Sequence, residues 1–190
     1  MSNQYYNFCY DPVRQGFDAN TWATITGTPT LANNKLVLEG AGILHFADIL
    51  RGDAVFSINI SAPAAGDDKK WGFAEYNKGA HLYFKVADDV FSVESSDGTT
   101  TKTTDIDWVS DWSDTNTEFR IKWEAGMATF YVGGQLKATL NDTYALGVPT
   151  IAIPGDPMYL YAASDSSQAM KLNYIDVKGV QSSNLDVPTA

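Results

Sequence analysis

From residue 35 to residue 180 apolar and polar positions alternate in short runs, and the three-to-four-residue spacing of an amphipathic helix is almost absent. The period-two runs predict strands at 35–39, 42–46, 53–60, 70–76, 81–86, 90–94, 100–105, 118–123, 128–132, 135–140, 158–162 and 170–177. Turn residues separate them: Asn33 and Asn34, Gly40, Gly79, Asp88 and Asp89, the stretch 95–98, Gly126, and the pair Gly133 and Gly134, which suits positive φ. No helix is long enough for a crossover between parallel strands. The pattern therefore predicts an all-β protein, an antiparallel two-sheet jelly-roll sandwich. No repeat or linker divides it, so residues 1–181 read as one domain and 182–190 as an extended C-terminal arm.

A chain of 190 residues buries roughly 70% of its unfolded surface, so neither a disulfide nor a metal is needed for folding. Cys9 is the single cysteine and has no partner within the chain. The balance of 13 basic against 23 acidic residues gives a net charge of −10. Phosphate backbones and anionic lipid are repelled by such a surface, so neither nucleic acid nor membrane is expected as a partner. The opening residues have no basic segment followed by an apolar one, and no apolar stretch is long enough to span a bilayer. Synthesis in the cytoplasm is expected, with virion assembly and lysis as one route outwards, unless a leader has been removed.

The stretch 118–140, EFRIKWEAGMATFYVGGQLKATL, resembles the meander of concanavalin-like (laminin-G-like) sandwiches, in which a strand ending in Arg-Ile-x-Trp precedes a turn and a second strand. Gly133 and Gly134 stand where that superfamily has Asp-Gly. WGF at 71–73, HLYF at 81–84, MYLYAASD at 158–165 and YIDVK at 174–178 resemble further strands of the same fold, in the same order. The resemblance implies the sandwich but not one function, because the superfamily includes lectins, glycanases, adhesion modules and virion proteins.

Its laminarinase-like hydrolases carry catalytic carboxylates as Glu-x-Asp-x-x-Glu, a spacing that aims side chains from one strand face at one glycosidic bond. Here the five glutamates are Glu39, Glu75, Glu94, Glu118 and Glu124, and none has aspartate two residues on. Asp105 and Asp107 are the only carboxylates so spaced, near a strand end. There is no Gly-x-Ser-x-Gly elbow, phosphate-binding glycine loop or Cys-x-x-Cys. His45 and His81 lie within apolar strands and read as hydrogen-bonded, partly buried residues; two histidines and one cysteine do not suit zinc. No enzymatic activity is expected.

Binding chemistry has more support. Residues 105–114 hold four aspartates and two tryptophans. Trp108 and Trp112, with Asp107 and Asp111, are candidates to stack on and hydrogen-bond a glycan, against the alternative that both rings plug the core. No cofactor is required, but Asp105 and Asp114 are also candidate Ca²⁺ ligands, since a hard ion takes oxygen donors. Asp176 is a third candidate, by the resemblance to the hydrolases' structural Ca²⁺ site. The aromatic N-terminal segment, with Tyr5, Tyr6, Phe8 and Tyr10, and the C-terminal arm, with Leu185 and Val187, are candidates to dock on neighbouring subunits, against packing on their own sandwich. The leading expectation is a self-associating, non-catalytic surface component of a larger assembly, such as a phage virion decoration or tail protein. A carbohydrate-binding module or lectin and a divergent laminarinase-like glycoside hydrolase are the alternatives.

Overall fold

Each alternating run is a strand in the computed structural model, which describes residues 4–18, 22–45, 49–75, 79–108, 112–145, 148–150, 152–165 and 167–181. The chain forms β1 (Gln4–Tyr10), a short helix α1 (Pro12–Gln15), β2 (Trp22–Thr26), β3 (Thr30–Ala32), β4 (Lys35–Leu38), β5 (Ala41–His45) and β6 (Ile49–Ile60). There follow β7 (Asp68–Ala74), β8 (Ala80–Ala87), β9 (Val90–Asp97), β10 (Thr101–Asp105), β11 (Trp112–Glu124), β12 (Met127–Val132) and β13 (Gln135–Asn141). The last are β14 (Thr143–Ala145), β15 (Val148–Thr150), β16 (Tyr159–Ser164) and β17 (Met170–Gln181).

Two antiparallel sheets form the layers. One runs β13-β12-β11-β6-β17-β4-β3, with β1 also on β17; the other runs β10-β9-β8-β7-β16-β5-β2. β17 pairs with β6 along one edge, and along the other with β4 at Met170–Leu172 and β1 at Ile175–Gln181. This is the predicted jelly-roll sandwich.

The core lies where the inward residues of each strand meet. Leu82, Phe84 and Val86 of β8 and Phe56 and Ile58 of β6 are fully buried, as period-two alternation requires. Trp71 stacks nearly parallel on Phe84 at 5.6 Å between ring centres, and Phe119 of the opposing sheet meets it edge-on at 4.9 Å. Aromatic contact of this kind ties the two sheets together. The turns carry the positive φ that their residues allow: Asn33 and Asn34 at 50° and 62°, Asp88 at 52°, Gly133 and Gly134 at 56° and 78°.

Three departures from the sequence reading have local causes. β1 was not expected as a strand: aromatics occupy both parities of its sequence, yet its backbone pairs with β17 throughout. β9 runs on to Asp97 instead of turning at 95, because Ser95 and Ser96 are buried and paired to β8 and β10. β11 begins at Trp112, where a bulge interrupts the alternation before Thr117. The proposed arm at 182–190 lies outside the described residues.

Candidate functional site

In an antiparallel ladder, directly opposed residues share a face. Carried across the seven-stranded sheet, the registers put Thr103, Glu94, Tyr83, Gly72, Tyr161 and Leu44 in one row on the side away from the core. The flanking rows hold Ser96 and His81 on one side, and Asp105, Ser92, Lys85 and Lys70 on the other. Lys85 and Lys70 face each other, a repulsion offset by carboxylates: Lys85 pairs with Glu94 at 2.9 Å and Lys70 with Asp68 at 3.0 Å.

Glu94 is the centre of this cluster. Its Oε2 accepts from Lys85 Nζ and, at 3.4 Å, from the Thr103 hydroxyl; its Oε1 lies 2.8 Å from His81 Nε2. The other imidazole nitrogen, Nδ1, lies 2.7 Å from the Gly79 carbonyl oxygen. Both nitrogens therefore face oxygen atoms, which fixes the plane of the ring. Partial burial alone would raise the Glu94 pKa; the Lys85 hydrogen bond and charge, with His81, overcome it and hold the carboxyl below its usual range. The result is a partly buried glutamate kept ionised on an outward face.

Aromatic rings border it. His81 stacks on Tyr83 at 4.3 Å with the planes 8° apart, and Tyr83 lies 5.5 Å from Tyr161. Burial raises both phenols, Tyr161 to about 12, so both remain neutral hydrogen-bonding groups. Gly72 separates the two rings in the row. Its φ is +151°, and a Cβ there would stand 2.0 Å from the Leu82 carbonyl oxygen, so only glycine fits.

The residues singled out from sequence lie elsewhere, Asp105 excepted. Trp112 is 7% exposed and belongs to the core, with Phe119 edge-on at 5.4 Å. Trp108 packs against it at 4.0 Å and against Phe91 at 5.2 Å. Neither is the open ring face that a stacking platform needs, and the two rings fill the end of the sandwich. Asp107 is exposed beyond the end of β10, and Asp111 lies outside the described residues. The candidate Ca²⁺ ligands do not come together: Asp105 is on β10 of one sheet, Asp114 and Asp176 on β11 and β17 of the other. Among the described residues no group of three or more His, Cys, Asp or Glu is placed to hold a metal.

The N-terminal candidates dock in cis. Tyr10 is buried in the core, and Phe8 packs on Trp22 and on the buried His45. The backbones of Tyr5 and Tyr6 pair with Val180 and Gly179. β1 thus lies along β17 of its own chain. Leu185 and Val187 lie outside the described residues.

No family model and no curated protein matches the sequence. The fold does recur among solved structures. The apo Crh5 transglycosylase has a TM-score of 0.69 at 15% identity, over 94% of this chain and 85% of that one. The catalytic domain of an endo-1,3-β-glucanase (laminarinase) from Thermotoga petrophila gives 0.67 at 13%, over 94% and 99%. The Emp47p carbohydrate recognition domain gives 0.62 at 8%, over 89% and 93%. At these identities the likeness establishes the concanavalin-like sandwich. It also corrects two expectations. The chain shares its architecture, over most of both lengths, with a transglycosylase and a glucanase. The virion-component reading and the exclusion of enzymatic activity both give way to that finding.

Proposed function

We propose that the chain is a divergent glycoside hydrolase, acting on a glucan laid across the outward face of the seven-stranded sheet. The observation that carries this reading is Glu94, held ionised by Lys85 and His81 beside Tyr83 and Tyr161. An ionised carboxylate among aromatic rings suits glycoside chemistry: it activates water or stabilises the cationic sugar of the transition state, while rings and hydroxyls position the chain. The fold's recurrence in a glucanase and a transglycosylase supports the same class.

Asp105 supplies a second carboxyl on this face, one strand across from Glu94 and two residues along. The backbones of diagonal neighbours stand roughly 7–8 Å apart, close enough for two carboxyl groups to flank one glycosidic bond. In this reading Glu94 takes a proton from water as the water attacks the anomeric carbon, and the departing oxygen receives its proton from solvent by way of Asp105. The pair replaces the missing single-strand motif with carboxylates from adjacent strands.

The test is reducing-sugar release from laminarin and from mixed-linkage β-glucan, with the product anomer followed by proton NMR. Inverted product, lost in Glu94→Gln and Asp105→Asn proteins that remain folded, is the expected result. Retention of configuration would remove Asp105 from its role. Binding without any cleavage would replace the hydrolase with a glycan-binding module.

A further inference from the structure

The bulge in β11 creates a second polar recess, on the other sheet. Trp112 pairs with Ile60 and Thr117 with Ile58, so residues 113–116 lie opposite the single residue Asn59. The Asn59 side chain is buried, with its residue only 1% exposed. Its Oδ1 accepts from Lys35 Nζ at 2.6 Å and Asn173 Nδ2 at 2.9 Å, while its own Nδ2 has no hydrogen-bond partner. Lys35 Nζ also donates to Asn116 Oδ1 at 3.3 Å. The bulge is therefore pinned from below by a lysine and amide network. That network occupies the Asn116 oxygen and leaves its NH₂ group for other partners.

Between the bulge and the β12–β13 turn lies a cleft of about 540 Å³, inside the range of roughly 300–1,000 Å³ common for small-ligand sites. Trp112 and Val132 are the buried residues at its base, and Asn116, Thr117, Gln135, Glu118 and Lys137 line it. The neutral side chains both donate and accept. Glu118 and Lys137 balance each other in charge, so the lining selects neither an anion nor a cation. Glu118 is oriented by the Tyr174 hydroxyl, which donates to its Oε1 and leaves Oε2 as an acceptor.

We propose that this cleft is a second glycan-binding site, taking a neutral sugar of a polymer whose other residues lie on the Glu94 face. The inference rests on the reading that the chain acts on glycans. Its chemistry is that of a polyol: neutral side chains that donate to and accept from ring hydroxyls, above a floor closed by the buried Trp112 and Val132. The two sites sit on different sheets, so both are filled only by a long or folded polysaccharide. The gain is then one of effective concentration rather than of catalytic contact.

The experiment uses Glu94→Gln protein, which cannot turn substrate over, titrated with laminaripentaose and followed by amide NMR. Shifts are expected at Asn116, Gly133 and Gln135 as well as around Tyr83. An Asn116→Ala/Gln135→Ala protein, altered only at exposed positions, should bind polymeric laminarin about tenfold more weakly. In the Glu94 background its turnover of laminaripentaose should be unchanged. Shifts confined to the Glu94 face, or undiminished laminarin binding by the double variant, would overturn the second site. Shifts confined to the cleft would retain it and overturn the Glu94 reading instead.

Discussion

His81 and Glu94 meet across adjacent strands at 2.8 Å, Nε2 to Oε1, while Lys85 holds the other carboxylate oxygen at 2.9 Å. Because the Glu94 pKa is depressed in the folded protein, its contribution to stability is present above the unfolded value, about 4.3. It is lost as pH falls through the folded value. A Glu94→Gln protein should therefore be less stable than the parent at pH 7, by on the order of 1–2 kcal/mol for a hydrogen-bonded charge. The difference should close in strong acid. Urea denaturation of both proteins at pH 7 and pH 3 measures it, and an equal gap at the two values would contradict the account.

His45 predicts a pH effect of different origin. Burial pushes its imidazole down to about 4, so the unfolded chain takes up the proton first. Stability is then lost as pH falls from about 6.5 towards the folded value. Between pH 7 and pH 5 the parent should lose about 2 kcal/mol more than a His45→Gln variant, read from the pH dependence of the urea midpoint.

Asp142 fastens the segment that leads towards β16. Its Oδ1 accepts from the backbone N–H groups of Ala152 and Ile153 at 2.8 and 2.9 Å, and both of those residues are buried. Asp142→Ala strands two buried donors and should cost roughly 2–4 kcal/mol, while Asp142→Asn, which keeps an acceptor, should cost less. Thermal unfolding of the two variants ranks them.

Gly72 has no room for a side chain, since a Cβ there would stand 2.0 Å from the Leu82 carbonyl oxygen and 2.7 Å from Cδ1 of the buried Ile121 on the opposing sheet. A Gly72→Ala protein must force its new Cβ away from the Leu82 carbonyl and hold an alanine at positive φ. A loss on the order of 2–4 kcal/mol is expected from strain and overpacking together. Urea unfolding checks the loss, and hydrolysis of laminarin should fall with it because Tyr83 and Tyr161 flank the distorted strand.

The sheet was legible because a half-buried strand writes its orientation into alternate residues, as in HLYFKV at 81–86. The bulge was not, since 113–116 escape the ladder and follow no period. The candidate site was missed because attention went to carboxylates close in sequence, whereas Glu94 and Asp105 approach through pairing between strands. One signal was available. Counting outward from the Asp88–Asp89 turn places Glu94 opposite Tyr83, on the same side as His81 and Lys85. The Trp- and Asp-rich stretch at 105–114 was conspicuous for its composition, but its two described indoles serve the core.

β17 carries a consequence for how the chain is made. It completes the larger sheet from within, joining β6 on one edge to β4 and β1 on the other. A nascent chain that has left the ribosome only as far as β16 can pair β6 with β11, β12 and β13, but β1 and the β3–β4 ribbon have no sheet to join. Leu36 and Leu38, buried in the finished protein, would face water until the final strand arrives. Pairings this distant in sequence are slow to form. Truncations ahead of Met170 should accordingly be captured by chaperones or proteases during translation, where the longer chain escapes them.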